Sequence, residues 1–272
     1  MESVRTCLKE CAQGDLIPWS CQTGVAKRFG LTLAQAEETI LTLGYLPARY
    51  QRNRTTLTQS GQLELFRSRV AVIGCGGLGG YVIEELARLG VGQLVAIDPD
   101  VFEEHNLNRQ LLSSPRSLGQ AKVEMAAARV AEVNPAVTLT PWQVAFGAAN
   151  GDELFQGVQV VVDALDSIPV RLELVEVCSR LGIPLVHGAI AGWYGHVATQ
   201  FPGEQSIQKI YASWVEGKGI EQQLGNPSFT PAVVASLEVA EVCKVLLGQG
   251  EPLQRRQLAI DLLEMEIHEI AL

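Results

Sequence analysis

RVAVIGCGGLGG, residues 69–80, decides how the rest of the chain is read. Residues 69–73 form a short apolar run suited to a buried strand, and Gly74, Gly76, Gly77 and Gly79 come next as a glycine loop. Residues 81–89 then place Val82, Leu86 and Leu89 at helical spacing. Glycines between a strand and a helix let the backbone turn tightly and bring amide N–H groups against phosphates at a helix N-terminus. The next apolar run, residues 94–97, ends on Asp98, where an acid typically binds ribose hydroxyls. Loop and acid together point to an adenosine-containing ligand.

The same rhythm continues outward. Residues 122–132 read as a helix ended by Asn134 and Pro135, since proline cannot continue it. Residues 158–164 read as a strand, 169–181 as a helix and 184–187 as a strand. This alternation predicts an α/β, Rossmann-like doubly wound, mostly parallel sheet. Beyond Gly192, residues 196–201 alternate like an antiparallel strand, 232–247 read as a long helix, and 257–270 as one or two closing strands. The parallel sheet is therefore expected to be extended by antiparallel strands.

Residues 1–65 have a different texture and read as a small helical N-terminal extension. Within residues 24–44 a helix, a turn at Gly30 and a second helix succeed one another, with Thr32 as N-cap and Ala36, Ile40 and Leu43 as an apolar face. The spacing resembles a helix-turn-helix, but the second helix offers Gln35, Glu37 and Glu38, and two of these three repel phosphate. A docking element is the better reading. The net charge of −9 also argues against a surface that coats nucleic acid. With 47% hydrophobic residues in 272, the chain can build a dense core, yet no apolar run reaches the roughly 18–20 residues of a membrane span. The start, MESVRTCLKECAQGD, lacks a secretory pattern, so a cytoplasmic protein is expected. Cysteines at 7, 11, 21, 75, 178 and 243 form no CxxC pair, and no histidine accompanies them at ligand spacing. They are expected to be thiols, not a disulfide framework or a metal cluster.

The residues after Asp98 separate ATP from NAD. Asp100 adds a second carboxylate, then HNLNRQ (105–110) supplies Asn106, Arg109 and Gln110, and GQAK (119–122) supplies Lys122. An NAD-dependent oxidoreductase would leave Asp100, Arg109, Lys122 and Asp166 without a task. An ATP site cleaved between the α and β phosphates needs fixed cations on the triphosphate and a carboxylate for Mg2+. Asn106, Arg109, Gln110 and Lys122 suit the first task. Asp166, just past the apolar run 158–165, suits the second, because ligands of open α/β sheets sit at the carboxyl ends of strands.

These blocks resemble the ThiF/MoeB/HesA family of adenylyltransferases, relatives of the ubiquitin-activating enzymes. The matching segments are RVAVIGCGGLGG, AIDPDVFEEHNLNRQLL with GQAKVE, VVDALDSIPVR, PLVHGAIAGWYGHVATQFPGE and PAVVASLEVAEVCKVLLG, in that order from residue 69 onward. The resemblance implies that residues 66–272 are an ATP-binding adenylation domain. In it Gly74, Gly76, Gly77 and Gly79 carry phosphates and Asp98 the ribose, with Asp100 nearby. Asn106, Arg109, Gln110 and Lys122 would hold the triphosphate and Asp166 the Mg2+. It implies a homodimer, with an arginine from the RYxRx-like segment, Arg52 or alternatively Arg54, entering the partner subunit's site. It also implies a substrate: the carboxylate of a small ubiquitin-like sulfur carrier with a Gly-Gly tail, for which residues 188–195 offer a trough. His187 and His196 flank that trough and read as structural.

Two departures from the family matter. The two CxxC pairs that hold a structural zinc in many relatives are missing, so no structural zinc is expected. No cysteine lies between Gly192 and Thr230 either, so the activated acyl group is expected to pass to a sulfur donor in trans. The same ATP chemistry on a small-molecule or tRNA carboxylate, and a non-catalytic nucleotide-binding scaffold, stand as alternatives.

Overall fold

The computed structural model describes residues 3–212 and 224–272. The N-terminal part contains α1 (Val4–Cys11), β1 (Leu16–Ile17), α2 (Trp19–Phe29), α3 (Leu33–Thr42), β2 (Leu46–Pro47) and α4 (Gln59–Arg67). Helix α2 stops because Gly30 adopts φ 65°, the left-handed conformation glycine accepts without a Cβ penalty. Thr32 then starts α3 with a capping box: its hydroxyl accepts from Gln35 N–H, and the Gln35 side chain accepts from Thr32 N–H. Of the three polar side chains that argued against DNA reading, Gln35 is therefore a cap and Glu38 pairs with Arg67 at 3.0 Å. Glu37 is fully buried, taking bonds from Gln22 (2.8 Å) and Tyr50 (2.6 Å) and an ion pair from Arg49 (3.2 Å).

That buried knot ties the N-terminal part to the large sheet domain. The amide of Asn134 donates to the Tyr50 hydroxyl at 2.8 Å and to the Ala87 carbonyl at 2.9 Å. Arg49 donates to Gln22 at 2.9 Å and also to the Asn134 side chain. Helix α4 runs across the boundary expected at residue 65 and packs on α3 and on the long helix near the C-terminus. One expectation fails here. Cys11, at the end of α1, and Cys21, in the first turn of α2, are joined as a disulfide with their Cα atoms 6.0 Å apart. Sequence spacing missed it because the turn through β1, not the helical i,i+4 relation to Cys7, sets which sulfurs meet.

The remaining elements are β3 (Arg69–Ile73), α5 (Gly77–Leu89), β4 (Gln93–Ile97), α6 (Lys122–Val133), β5 (Thr138–Trp142), α7 (Gly151–Leu154), β6 (Val160–Asp163), α8 (Ile168–Leu181), β7 (Leu185–Ala191), β8 (Tyr194–Gln200), α9 (Ser206–Ile210), α10 (Phe229–Leu247), β9 (Arg256–Asp261) and β10 (Glu266–Ala271). They form an eight-stranded sheet in the order β10-β9-β8-β7-β6-β3-β4-β5. Strands β5, β4, β3, β6 and β7 run parallel, and β8, β9 and β10 continue the sheet antiparallel. This is the expected α/β architecture. Helices α5, α6 and α10 cover one face around Val72, Val82, Leu86 and Val239, while α8 covers the other around Ile73, Val161 and Leu174. Sequence order reverses at β3, which lies between β4 and β6, so a crevice opens beyond the carboxyl ends of these three strands.

The strand expected over 184–187 is longer, reaching Ala191, and the glycine-rich stretch after it is a hairpin turning at Gly192. Gly188 sits inside β7 because Glu238 of α10 presses on it: a Cβ there would stand 2.4 Å from the Glu238 carboxyl carbon. Among the described residues no helix is long and apolar enough to cross a membrane.

Candidate active site

The crevice beyond β3, β4 and β6 is a cavity of about 1070 Å³. At its base the glycine loop has two positions where glycine is obligatory. Gly74, at φ 94°, leaves no room for a side chain, since a Cβ would lie 2.6 Å from the Ala164 carbonyl oxygen. A Cβ on Gly79 would lie 1.8 Å from the Gly74 carbonyl oxygen, so Gly79 seats α5 against the strand turn. The cavity is lined by Gly74, Gly76 and Gly77 but not by Gly79, whose contribution is close packing. Asp98 is the clamp of this loop: it accepts from Cys75 N–H at 2.7 Å and from Asp100 N–H at 2.8 Å. Burial pushes its carboxyl above the usual carboxylate range, against the pull of the Cys75 N–H and Lys122.

Cations gather on the other wall. Lys122 is buried and its Nζ lies 2.9 Å from Asp100 Oδ2, whose side chain is largely exposed. Lys122 is also the first residue of α6, the end of a helix that repels cations. Arg109 lies along the start of α5, donating to the His105 carbonyl at 3.1 Å and to Asn108 at 2.9 Å. Burial lowers its pKa, and the negative charge of Asp166 across the cavity works against that. Gln110 stands beside Gly76, and its buried Oε1 has no hydrogen-bond partner among the described residues. Asp166, just past β6, lines the same space.

One expected phosphate-site residue lies elsewhere. Asn106 is buried and does not line the cavity; its Oδ1 accepts from Glu103 N–H at 2.9 Å, and its carbonyl receives the Arg109 and Gln110 N–H groups. It shapes the loop that presents Arg109 and Gln110. Its Oδ1 is spent on capping because Asn106 closes the short turn that Glu103 opens three residues earlier. Arg52 is exposed and absent from this chain's own cavity wall, and Arg54 pairs with Asp15 at 2.9 Å.

Sequence reasoning missed a buried polar cluster behind Asp166. Asp163, the last residue of β6, is fully buried and lies 2.9 Å from Arg171 Nε and 2.8 Å from His187 Nδ1. Burial pushes the Asp163 carboxyl up, but Arg171, His187 and the Leu165 N–H outweigh it and hold it below the usual carboxylate range. Arg171 also donates to the Leu165 carbonyl and to the Tyr211 hydroxyl. His187 Nε2 lies 3.0 Å from His196 Nε2, and His196 lines the cavity with Tyr194 and Tyr211. The available signal was the arginine in DSIPVR, on a helix facing a strand that ends in a buried acid.

Glu238 approaches the cluster from α10 on the opposite face of the sheet. It is fully buried, and among the described residues neither of its oxygens has a hydrogen-bond partner. Burial, then the charge of Asp163, push its carboxyl well above the usual range, with Arg171 pulling the other way. The folded protein thus keeps a proton that the unfolded chain loses above about pH 4–5, and stability falls as pH rises from there. Glu238→Gln should remove this slope. Its denaturation midpoint, measured from pH 5 to 9, is expected to gain on wild type steadily as pH rises; a constant offset would contradict the assignment. The thiols of buried Cys178 and half-buried Cys243 are inert by the same physics, pushed up to about 12 and about 11, mainly by burial.

A family model described as the ThiF family matches residues 50–272. Over 212 residues the chain is 38% identical to the SAMP-activating enzyme E1 of Haloferax volcanii, covering 77% of this chain and 78% of that protein. It is 34% identical over 218 residues to the sulfur carrier protein adenylyltransferase of Thermus thermophilus, covering 77% of this chain and 80% of the relative. It spans only about half (48%) of the longer Arabidopsis thaliana protein named adenylyltransferase and sulfurtransferase MOCS3. In fold it is similar to the crystal structure of E. coli MccB with ATP, with a TM-score of 0.70 and 20% identity, covering 99% of this chain and 82% of that one.

Proposed function

This chain is an adenylyltransferase of the ThiF family, and we propose that it activates the C-terminal carboxylate of a small ubiquitin-like sulfur carrier as an acyl-adenylate. The observation that carries this reading is a single cavity joining two unlike ends. Lys122, Arg109 and the glycine loop supply positive potential at one end. At the other, Ala189 and Ala191 on β7 form a floor for a tail without side chains.

In this reading the loop amides at Gly76 and Gly77, with Lys122, Arg109 and Gln110, hold the triphosphate of ATP. Each oxygen of Asp98 already accepts one backbone N–H and keeps a lone pair for a ribose hydroxyl. Asp166 fits Mg2+, which binds through one or two carboxylates plus substrate phosphates and needs no protein cage. Among the described residues no three His, Cys, Asp or Glu side chains are arranged to hold a metal ion by themselves. The ion would neutralise charge on the phosphates. The carrier carboxylate oxygen attacks the α-phosphorus, the bond from that phosphorus to the α–β bridging oxygen breaks, and pyrophosphate leaves with that electron pair. Like charges must approach for this, so the chain's share of the work is positioning and charge neutralisation. Arg52 would act across a homodimer, in the partner subunit's site. A sulfur nucleophile supplied in trans then attacks the acyl carbon, the bond from that carbon to the phosphate oxygen breaks, and AMP leaves with the electron pair, all in the cytoplasm.

The test is ATP–pyrophosphate exchange with a panel of Gly-Gly-tailed ubiquitin-like carriers. Exchange should depend on one carrier and vanish when its last two glycines are deleted. No exchange with any carrier, despite tight Mg-ATP binding, would instead favour a small-molecule or tRNA carboxylate.

A further inference from the structure

The chain of hydrogen bonds that ends on His196 fixes where its protons sit. Asp163 is a carboxylate, so His187 donates to it from Nδ1 and its Nε2 carries a lone pair. Two bare nitrogens would not rest 3.0 Å apart, so His196 Nε2 carries the hydrogen and donates to His187 Nε2. Nδ1 of a neutral His196 is then a bare acceptor, and the described residues offer it no hydrogen-bond donor. Burial, the neighbouring His187 and the Arg171 charge hold the His196 pKa down to about 3, so the ring stays neutral at working pH.

Position agrees with chemistry. On the hairpin, His196 stands directly across from Ala189, on the sheet face that also bears His187 and Ala191. These small side chains leave the trough floor open beside the imidazole. A glycine tail presents only main-chain N–H and C=O groups and a terminal carboxylate. A neutral acceptor can take an N–H and nothing else. It also adds no cation that would hold the carboxylate back from the α-phosphate.

Building on the adenylation reading, we propose that His196 is a specificity residue that accepts a main-chain N–H from one of the last two residues of the substrate tail, held in that tautomer by His187 and Asp163. The adenylation reading gives work to the glycine loop, Asp98, Gln110, the cations and Asp166, and none to this acceptor. One net hydrogen bond of about 1 kcal/mol corresponds to a preference of roughly 5–10-fold.

The experiment uses the full-length enzyme and three versions of its carrier: the all-amide protein, and two semisynthetic forms in which an ester oxygen replaces the N–H of either the last or the penultimate residue. For wild type, kcat/KM of exchange should fall roughly 5–10-fold on one ester, through KM, and be little changed on the other. His196→Phe should be weak on all three and show no ester penalty, while binding Mg-ATP as wild type does. His196→Gln, whose side-chain oxygen can also accept, should recover part of the discrimination. Equal ester penalties in wild type and His196→Phe would overturn the proposal, as would a His196→Gln enzyme no better than His196→Phe. If even the all-amide carrier gives no exchange with wild type, the adenylation reading fails and takes this inference with it.

Discussion

Lys122→Met should lower carrier-dependent ATP–pyrophosphate exchange by on the order of 10²–10³ in kcat/KM, with the folded state intact. The substitution keeps the aliphatic stem and removes the charge. In the structure that charge is poorly explained by folding alone. It is buried at the N-terminus of α6, where the helix dipole opposes it, and its one ion-pair partner among the described residues, Asp100, is mostly exposed. An anion delivered to the cavity changes the balance, because the cation, the glycine-loop amides and Arg109 then face one ligand. Freed of Lys122, Asp100 can be solvated, so the thermal midpoint should move little. A loss of less than about tenfold, or a large drop in midpoint, would mean that Lys122 serves the fold and not the triphosphate.

The end of the cavity proposed for the nucleotide draws on residues that are legible in the sequence because they lie close along the chain. The glycine loop, Asp98, Asp100, Arg109, Gln110 and Lys122 fall within residues 74–122, and the geometry of a strand, a tight turn and a helix brings them together. Asn106 marks the limit of that reading. Residue type suggested a phosphate contact, whereas the local backbone uses its side chain as a cap. The tail end is illegible for the opposite reason. His187 and His196 meet only through the antiparallel register of β7 and β8, and Tyr211 comes from beyond α9. Periodicity says which face a residue occupies, but not which residue on the next strand stands beside it. The Cys11–Cys21 bond was hidden in the same way, by a turn whose path no spacing rule describes.

Arg171→Leu is the second large effect, and it falls on stability. Arg171 is almost wholly buried, and its Nε lies 2.9 Å from the fully buried Asp163. Removing the guanidinium leaves that carboxylate with only the His187 N–H and the Leu165 N–H. Breaking a buried pair by deleting one partner costs about 3–5 kcal/mol, because the surviving charge stays desolvated. Urea denaturation should show this as a lower midpoint at unchanged slope. Adding Asp163→Asn to Arg171→Leu removes the orphaned charge, so the double variant should recover part of the loss, a coupling that a mere packing defect would not show. Activity should track stability for a specific reason. Arg171 also holds the Leu165 carbonyl, next to Asp166, so its loss loosens the carboxylate assigned to Mg2+. Exchange by the single variant, assayed well below its unfolding midpoint, should therefore still be impaired. A cost below about 1 kcal/mol would show that the Arg171–Asp163 ion pair does not hold this cluster in its folded form.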